Sequence, residues 1–535
     1  MTGTPSVGSG QTAVSRRHAN GHEVFALFCA LTSLTIVGLR IWSVRDLPLG
    51  WDEVDYAQAA GYGVLANGMG TQELSALQFA ALAGSRWGRP LDRVGLMSEE
   101  HETFFLRHFH PPVPVYYWSL ARDPDPVIFE RHLRVGQVLL ACMALLLCAI
   151  ALLATLGPGE RLLSLGFLPI LAVGPQPMVA FKVLSFHGPF SVTAVLLVAA
   201  TVHLVQKPSL RWAATVGAAA GLCVATLETG TLLVALVVVA TYCSGGATVL
   251  LRHARPIAAA LTTSLLVIWP GMILTGGPLK SWSMYAYRVF LAGNREYQGV
   301  SPATFWTAEG ITNPVLFAFA AIAAFVVVCS NGRRQHLVIP ALVATGYGLF
   351  MTPFALSPSY VSPAFTLLWY AAAQALGEVA GRMTHRRQTL VWLCSLTLAL
   401  AGLWRDLLRF PSEEAAAQER ATASRAELEL FKRQMDQDPR AVLLEAGHIP
   451  RFYLPALAGR IEPLHVKDER DPGYWIRHGY LYDSVRESVQ GGRFACVGLW
   501  KVRPYASKMM DEIARWGAKI SDVGSYRVGC FPAPK

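Results

Sequence analysis

Acidic side chains are concentrated in one stretch between the first two long apolar runs. Of the 18 acidic residues in the first 405 positions, 12 lie within residues 46–130. The stretch opens with Leu-Pro-Leu-Gly-Trp-Asp-Glu-Val-Asp-Tyr, so Asp52 and Glu53 follow the first apolar run closely. A carboxylate at a membrane–water boundary can act as a general base for a hydroxyl, or bind a divalent cation with its neighbour. Alternatively, the pair caps a helix over 54–66, because acids stabilise helix N-termini.

Cationic side chains that could face a phosphate lie at the end of this stretch and in later connections. The stretch closes with Arg-His-Phe-His-Pro-Pro-Val-Pro-Val-Tyr-Tyr-Trp, which contains Arg107 and His110. Lys182 and His187 lie between two later apolar runs, and Arg288 lies in a polar connection further on. Each could stabilise negative charge on a lipid headgroup or a lipid-linked phosphate. Alternatively, the aromatic residues form an interfacial belt and the cations extend to the membrane surface.

The elements that carry these residues are long apolar helices. Only 15% of the 535 residues are charged and the mean hydropathy is +0.36, whereas a soluble globular protein has about 25% charged residues. This composition excludes an ordinary cytosolic enzyme, a disordered chain and a coiled coil. Apolar runs of about 18–25 residues predict membrane-spanning helices. About eleven are predicted, at 24–43, 133–156, 161–181, 183–206, 210–228, 229–251, 257–275, 313–330, 336–356, 359–379 and 389–408.

Basic clusters in the short connections predict the orientation of these helices. Lys and Arg are enriched in cytoplasmic loops, and the clusters fall on one side if the N-terminus is cytoplasmic. They are Arg16/Arg17, Lys207/Arg211, Arg252/Arg255, Arg333/Arg334 and Arg386/Arg387. This alternation places residues 44–130, 276–312 and everything after about 408 outside. The net charge of +10 therefore indicates membrane topology rather than nucleic-acid binding.

The C-terminal part has the charge density of a soluble domain. The last 130 residues contain 38 charged residues, and the first 405 contain only 44. The pattern predicts an exposed helix over 411–435, strands at 441–446, 494–500 and 526–531, and a helix at 504–516. Cys496 and Cys530 lie on two of these strands, so they form either a disulfide in an oxidising compartment or two free thiols.

The predicted fold class is therefore an all-α polytopic membrane domain, of about eleven transmembrane helices, with a small C-terminal α/β soluble domain. Residues 1–23 form a cytoplasmic tail, and residues 24–408 form the membrane domain with an outside loop at 44–130. Residues 409–535 form the extracytoplasmic domain. Within the apolar runs, Gly217-Ala-Ala-Ala-Gly221 has the spacing of a helix-packing motif and is interpreted as structural.

The order of three motifs resembles a known family of enzymes. Trp-Asp-Glu-x-x-Tyr follows the first helix, His-Pro-Pro-x-x-x-Tyr-Tyr closes the loop, and Arg-His-Leu-Arg (residues 131–134) starts the second span. This arrangement resembles the polytopic GT-C glycosyltransferases, in particular the dolichyl-phosphate-mannose protein mannosyltransferases and the bacterial aminoarabinose lipid A transferases. The resemblance is strongest over residues 24–230.

The resemblance implies transfer of a sugar, with inversion, from a polyprenyl-phosphate donor to a protein, lipid or glycan acceptor at the outer membrane face. Asp52 would be the general base, and Glu53 would orient the acceptor or share a divalent cation with Asp52. The aminoarabinose group has a Lys before the Pro pair that contacts the donor phosphate, and here that position is His110. Related enzymes also have an Arg-Tyr pair where this chain has Ser-Tyr-Val-Ser-Pro (residues 359–363).

Two other functions fit the same composition. In a transporter or flippase of a lipid-linked glycan, the carboxylates would be translocation groups, and in an inactive relative the chain would be an assembly scaffold. Transporters often have internal repeats and charges at mid-membrane, but this sequence has no clear repeat and its acids cluster in a surface loop. The sequence also has no phosphate-binding loop or dinucleotide fingerprint, which agrees with a donor that is not a nucleotide sugar.

Overall fold

The structure is a computed structural model, and it describes residues 27–69, 111–155, 181–271, 335–351, 358–381, 383–445, 447–466, 474–477, 481–503 and 505–532. The chain divides into two compact units. The first, here called the helical unit, comprises Met1–Trp42, Gln137–Leu265 and Gln298–Pro411. The second, called the mixed unit, comprises Ser43–Gly136, Leu266–Tyr297 and Ser412–Lys535.

Sixteen α-helices are present in the described residues. The first eight are α1 (Leu27–Trp42), α2 (Trp51–Gly61), α3 (Val64–Met69), α4 (Val113–Ser119), α5 (Pro126–Thr155), α6 (His187–Gln206), α7 (Leu210–Val224) and α8 (Gly230–Thr241). The others are α9 (Ala247–Arg252), α10 (Ala254–Ile268), α11 (Gln335–Met351), α12 (Ser362–Gly381), α13 (His385–Gln437), α14 (His448–Tyr453), α15 (Val485–Gln490) and α16 (Ala506–Arg515). A π-helical turn, Tyr242–Gly246, joins α8 to α9.

Nine of the predicted spans coincide with helices of the structure. The other two, 161–181 and 313–330, lie outside the described residues apart from the last residue of the first. Three stretches are long and apolar enough to cross a membrane, namely Pro126–Ala151, His187–Gln206 and Gly230–Arg252. The chain is therefore a membrane protein, and the total of eleven spans stays a prediction.

Helix α6 occupies the interior of the helical unit. It packs against α7, α11 and α12, and most of its side chains are buried. The helix is apolar on every face, which is typical of a helix enclosed by others. Phe190 of α6 contacts the buried Tyr347 of α11, with 5.8 Å between the ring centroids.

The predicted small-residue motif lies at a close helix crossing. A Cβ atom at Gly217 would be 2.2 Å from the backbone oxygen of Ile257 in α10, and one at Gly221 would be 2.8 Å from the Cβ of Ser264. Only glycine allows two helix backbones to approach this closely. The structural interpretation of the motif is confirmed.

The mixed unit contains a seven-stranded sheet with the order β4-β3-β2-β1-β5-β7-β6. Strand β1 is parallel to β2 and β5, and the other neighbours are antiparallel. Helix α16 covers one face and buries Met509 and Ile513 against Leu443, Phe494 and Val497. The strands are β1 (Ala441–Glu445), β2 (Ile461–Val466), β3 (Tyr474–Arg477), β4 (Leu481–Ser484), β5 (Phe494–Trp500), β6 (Lys519–Val523) and β7 (Tyr526–Cys530).

The small C-terminal sheet agrees with the predicted α/β character of this region, and β1, β5 and β7 are the three predicted strands. Cys496 lies directly opposite Cys530 in the antiparallel pairing of β5 with β7. The two are joined by a disulfide, and the amide of Gln434 on α13 donates a hydrogen bond to Cys530 Sγ at 2.8 Å.

The last predicted span and the predicted tail helix are both helical in the structure, but they are continuous. The span at 389–408 and the exposed helix at 411–435 are parts of a single helix, α13, which contains Pro411. The sequence changes from apolar to charged near residue 408, but a change of composition does not end a helix. Proline removes one backbone donor within a helix, and here the helix continues through it.

The helix crossing at Gly217 gives a test of the packing. Gly217→Val should lower the thermal stability, because the new side chain meets the Ile257 backbone and overpacking costs about 1–3 kcal/mol. Ala218→Val is the matched control, since Ala218 is exposed on the same helix. Thermal unfolding in detergent would measure both variants, and equal melting temperatures would contradict the close approach.

Candidate functional site

The acidic motif lies at the start of α2. Asp52 is the second residue of this helix, and Gly50 precedes its first residue. The Glu53 carboxylate accepts a hydrogen bond from the Gly50 backbone N–H at 2.6 Å. Helix α2 therefore starts three residues before the predicted 54–66, because Glu53 stabilises its N-terminus from inside the first turn.

The same prediction is also wrong about where the helix ends. Helix α2 ends at Gly61, and Gly63 with a φ of 87° separates it from α3. Glycine adopts this left-handed conformation without the steric cost that a Cβ would impose. The apolar periodicity continues across the turn, which is why the pattern predicted one helix.

A buried ion pair holds the chain around Asp52. Arg134 of α5 donates to both carboxylate oxygens of Glu53, with Nη1–Oε1 at 2.6 Å and Nη2–Oε2 at 3.0 Å. Its guanidinium also donates to the backbone oxygens of Leu47 at 3.2 Å and Pro48 at 3.1 Å. Arg134 is 2% exposed and Glu53 9%. Charges removed from water are tolerated when they are paired and hydrogen-bonded, so this arrangement fixes segment 47–53.

A second polar contact reaches the same segment from the C-terminal part of the chain. Tyr453, the last residue of α14, donates a hydrogen bond to the buried carboxylate of Glu130, one helical turn before Arg134 in α5. The Tyr453 hydroxyl also accepts a hydrogen bond from the backbone N–H of Leu49 at 2.9 Å. Burial and the neighbouring carboxylate of Glu130 raise the pKa of Tyr453, so the phenol remains protonated at neutral pH.

The aromatic motif at the end of the acidic loop forms α4. Trp118 is buried and stacks on Tyr56 of α2, with 5.5 Å between ring centroids. The Tyr116 hydroxyl donates to the Ile268 backbone oxygen at 2.6 Å, and that of Tyr117 donates to the Gly136 backbone oxygen. Burial raises the pKa of Tyr116 to about 12. These aromatic residues therefore act in packing, and they hold α4 against α2.

Two of the predicted phosphate-binding residues, Lys182 and His187, belong to the helical unit. His187 is the first residue of α6, and its ring centroid is 4.6 Å from that of Tyr360. Tyr360 belongs to the 3₁₀ turn Pro358–Val361, which is part of the Ser-Tyr-Val-Ser-Pro segment. Lys182 is half-buried and lies five residues before His187. The remaining predicted residues, Arg107, His110 and Arg288, lie outside the described residues.

The metal site considered for Asp52 and Glu53 has no further ligands in the structure as far as it is described. Within the described ranges, no three His, Cys, Asp or Glu side chains lie close enough together to hold a metal ion. Both carboxylate oxygens of Glu53 are engaged by donors of this chain. The contacts of Glu53 with Gly50 and Arg134 therefore position the start of α2.

Sequence reasoning missed the roles of Arg134, Glu130 and Tyr453. A signal for the first two was present, because an acid and an arginine four residues apart at the start of an apolar span are spaced to meet on one helix face. Charged residues within such spans have specific partners or functions. Tyr453 carries no such signal, since its partners lie more than 300 positions away.

Comparison with known proteins gives matches in structure. No protein-family model and no curated protein matches the sequence. The structure of ArnT from Cupriavidus metallidurans in the apo state matches with a TM-score of 0.58 and 14% identity, over 97% of this chain and 100% of that one. The same protein bound to undecaprenyl phosphate matches with a TM-score of 0.56 and 15% identity, over 96% and 98%.

An archaeal structure matches with a lower score. The oligosaccharyltransferase AglB from Archaeoglobus fulgidus, in complex with an inhibitory peptide and a dolichol-phosphate, has a TM-score of 0.51 and 11% identity over 90% of this chain and 69% of that one. ArnT is an aminoarabinose lipid A transferase, and both proteins are GT-C enzymes. The resemblance predicted from the three motifs is therefore confirmed at the level of the fold.

The buried ion pair gives a direct test. Glu53→Gln should lower the free energy of unfolding by about 3–5 kcal/mol, because Arg134 would keep a buried charge without its carboxylate partner. The control is Arg131→Gln, since the Arg131 side chain is 63% exposed and lies 3.8 Å from Asp46. An exposed pair of this kind contributes about 0–1 kcal/mol.

Thermal unfolding in detergent, followed by size-exclusion chromatography, would measure the loss in both variants. A Glu53→Gln protein as stable as the Arg131→Gln protein would show that the ion pair does not hold segment 47–53.

Proposed function

We propose that this chain is a membrane glycosyltransferase that takes a sugar from a polyprenyl-phosphate donor and transfers it to an acceptor on the extracytoplasmic face. The observation that carries the proposal is the match of its fold to ArnT over nearly the whole length of both chains. One of the matched ArnT structures holds undecaprenyl phosphate. The acidic loop after the first helix supports the same function, because it supplies carboxylates where a lipid-linked sugar would be exposed.

In this proposal Asp52 is the general base. A nucleophilic group of the acceptor attacks the anomeric carbon of the sugar, and the bond from that carbon to the phosphate oxygen breaks. The acceptor proton passes to the Asp52 carboxylate, the anomeric configuration inverts, and the polyprenyl phosphate leaves as an anion. The second residue of a helix is a suitable position for a base, since the helix N-terminus favours the ionised carboxylate.

Glu53 is assigned a different role from Asp52. Its carboxylate binds Arg134 and caps α2, so we expect it to position Asp52 rather than to contact the acceptor or bind a cation. The scheme therefore assigns the catalytic step to one carboxylate, that of Asp52.

Positive charge is needed where the phosphate leaves, because negative charge develops there. Lys182 and His187 are candidates, and the contact of the His187 ring with Tyr360 supports His187 by placing a phenol beside the imidazole. Arg107, His110 and Arg288 are candidates from the sequence. The acceptor is an envelope protein, lipid or glycan.

We place the C-terminal domain outside the membrane, together with the acidic loop. The disulfide between Cys496 and Cys530 supports this orientation, since disulfides persist in oxidising compartments and are rare in the cytosol. Tyr453 contacts Leu49 and Glu130, so the domain and the loop must lie on the same side of the membrane.

The proposal is tested by incubating the purified protein with a radiolabelled polyprenyl-phosphate sugar and a crude envelope fraction. Transfer of label to an envelope component is expected for the wild type. Asp52→Asn should reduce transfer by at least about 100-fold, which is the lower range for loss of a general base, and should leave folding and membrane insertion unchanged. Asp55→Asn is the matched control, because it removes a carboxylate from the same helix.

The other outcomes are informative. Substantial transfer by Asp52→Asn would exclude Asp52 as the base. Movement of the labelled lipid between leaflets without transfer would favour a transporter, and neither activity would favour a scaffold.

A further inference from the structure

We propose that Tyr453 is a positioning residue, through which the C-terminal domain holds segment 47–53 and hence Asp52 in its active place. The inference rests on the proposed function and deepens it, because it makes this domain part of the active site. The opposite view is that the domain is a separate cap whose contacts serve only its own attachment.

The backbone N–H of Leu49 is a buried donor that needs a hydrogen-bond acceptor. Leu49 is 2% exposed and lies just before the residue that precedes α2, so the N–H points to no carbonyl of that helix. A buried backbone donor that lacks an acceptor costs free energy comparable to a lost hydrogen bond. The Tyr453 hydroxyl accepts from this N–H at 2.9 Å, beside the Glu130 carboxylate, which also interacts with it.

The Tyr453 hydroxyl is oriented by its two hydrogen bonds. A hydroxyl that donates its single proton to the Glu130 carboxylate presents its lone pairs to other donors. Glu130 is 5% exposed, so its carboxylate also depends on such a donor. The contact therefore has a fixed direction, from Leu49 through Tyr453 to Glu130.

Arg134 and Tyr453 together hold segment 47–53 by hydrogen bonds along its length. Arg134 binds the backbone oxygens of Leu47 and Pro48 and the side chain of Glu53. Tyr453 supplies the contact at Leu49, which lies between the residues that Arg134 holds. Catalytic groups have to be held within about 0.5 Å of their productive geometry, and Asp52 is three residues from Leu49.

Neighbouring contacts show that α14 lies against this segment rather than merely reaching it. Phe452 contacts Phe129 of α5, with 6.1 Å between ring centroids, and it also packs edge-to-face on Tyr453. Helix α14 contacts α2 itself. These apolar contacts support the domain without involving the Tyr453 hydroxyl, so removing that hydroxyl should leave the domain attached.

The test compares Tyr453→Phe with the wild type in the transfer assay. The variant should lose about 10- to 100-fold in kcat, since misplacement of a catalytic group by about 1 Å costs on the order of 100-fold. The KM for the lipid donor should change by less than about 3-fold, because the donor contacts are untouched. Tyr505→Phe is the matched control, since the Tyr505 hydroxyl donates to the buried Glu445 within the sheet domain.

A double variant separates positioning from mere stability. In Glu130→Gln/Tyr453→Phe the buried charge is removed together with its donor, so the melting temperature should recover relative to Tyr453→Phe. The kcat should stay low, because the Leu49 N–H still lacks the Tyr453 hydroxyl that accepts from it in the wild type. Recovery of kcat together with stability would overturn the proposal, and so would a Tyr453→Phe kcat equal to that of Tyr505→Phe.

Hydrogen exchange provides a readout that does not depend on transfer. A peptide covering residues 47–53 should exchange faster in Tyr453→Phe and in the double variant, and at the wild-type rate in Tyr505→Phe. Unchanged exchange in the first two would overturn the proposal, whether or not the wild type transfers sugar. A wild type without transfer, but with faster exchange in Tyr453→Phe, would reject the proposed function and keep the assignment of Tyr453 as the residue that holds this segment.

Discussion

The guanidinium of Arg134 is the group on which the geometry of the acidic loop depends. It is buried at the start of α5, where its charge can be stabilised only by neighbours of opposite polarity. It binds one carboxylate and two backbone carbonyls, all from the seven residues that contain the N-terminus of α2. Segment 47–53 in this conformation offsets much of the cost of burying this charge, and the nearby Glu130 carboxylate adds to this offset. The same contacts therefore stabilise the charge of Arg134 and order segment 47–53.

The C-terminal domain adds further polar contacts to this part of the molecule. Glu130 lies one turn from Arg134 and brings a second buried charge, and its donor comes from α14. Further polar contacts link the beginning and end of the mixed unit, since Ser43 donates to Glu413 at 3.0 Å and Arg45 pairs with Glu414. The loop that follows the first helix and the C-terminal domain therefore form one compact unit although they are far apart in sequence.

Much of this architecture could be predicted from local patterns. Apolar length gave the helices that coincide with nine predicted spans, and the continuous apolar character of β1 and β5 indicated buried strands. Strand β6 was missed because Lys-Ile-Ser-Asp-Val lies at the edge of the sheet and is mostly exposed. The start of α2 was misplaced because the carboxylates were assigned to a later helix start, whereas Glu53 caps the helix from its third position.

The candidate site was predictable only in part, for a physical reason. The residue types that could do chemistry are visible along the chain, and Asp52 and His187 stay predictions chosen from them. Their supports could not be predicted, because the pairing of Glu53 with Arg134 spans 81 positions and that of Leu49 with Tyr453 spans 404. Such pairs are specified by the folded core rather than by any periodicity.

The separation of Leu49 from Tyr453 also has a consequence for biosynthesis. Leu49, in the segment with Asp52, is synthesised 404 positions before Tyr453, whose hydroxyl completes the support of that segment. A nascent chain would therefore form its acidic loop well before the C-terminal domain is synthesised. Until α14 arrives, the loop lacks one of its fixed contacts. Segment 47–53 would thus reach its final order only after the C-terminal domain has folded, so the order of synthesis sets when this segment is completed.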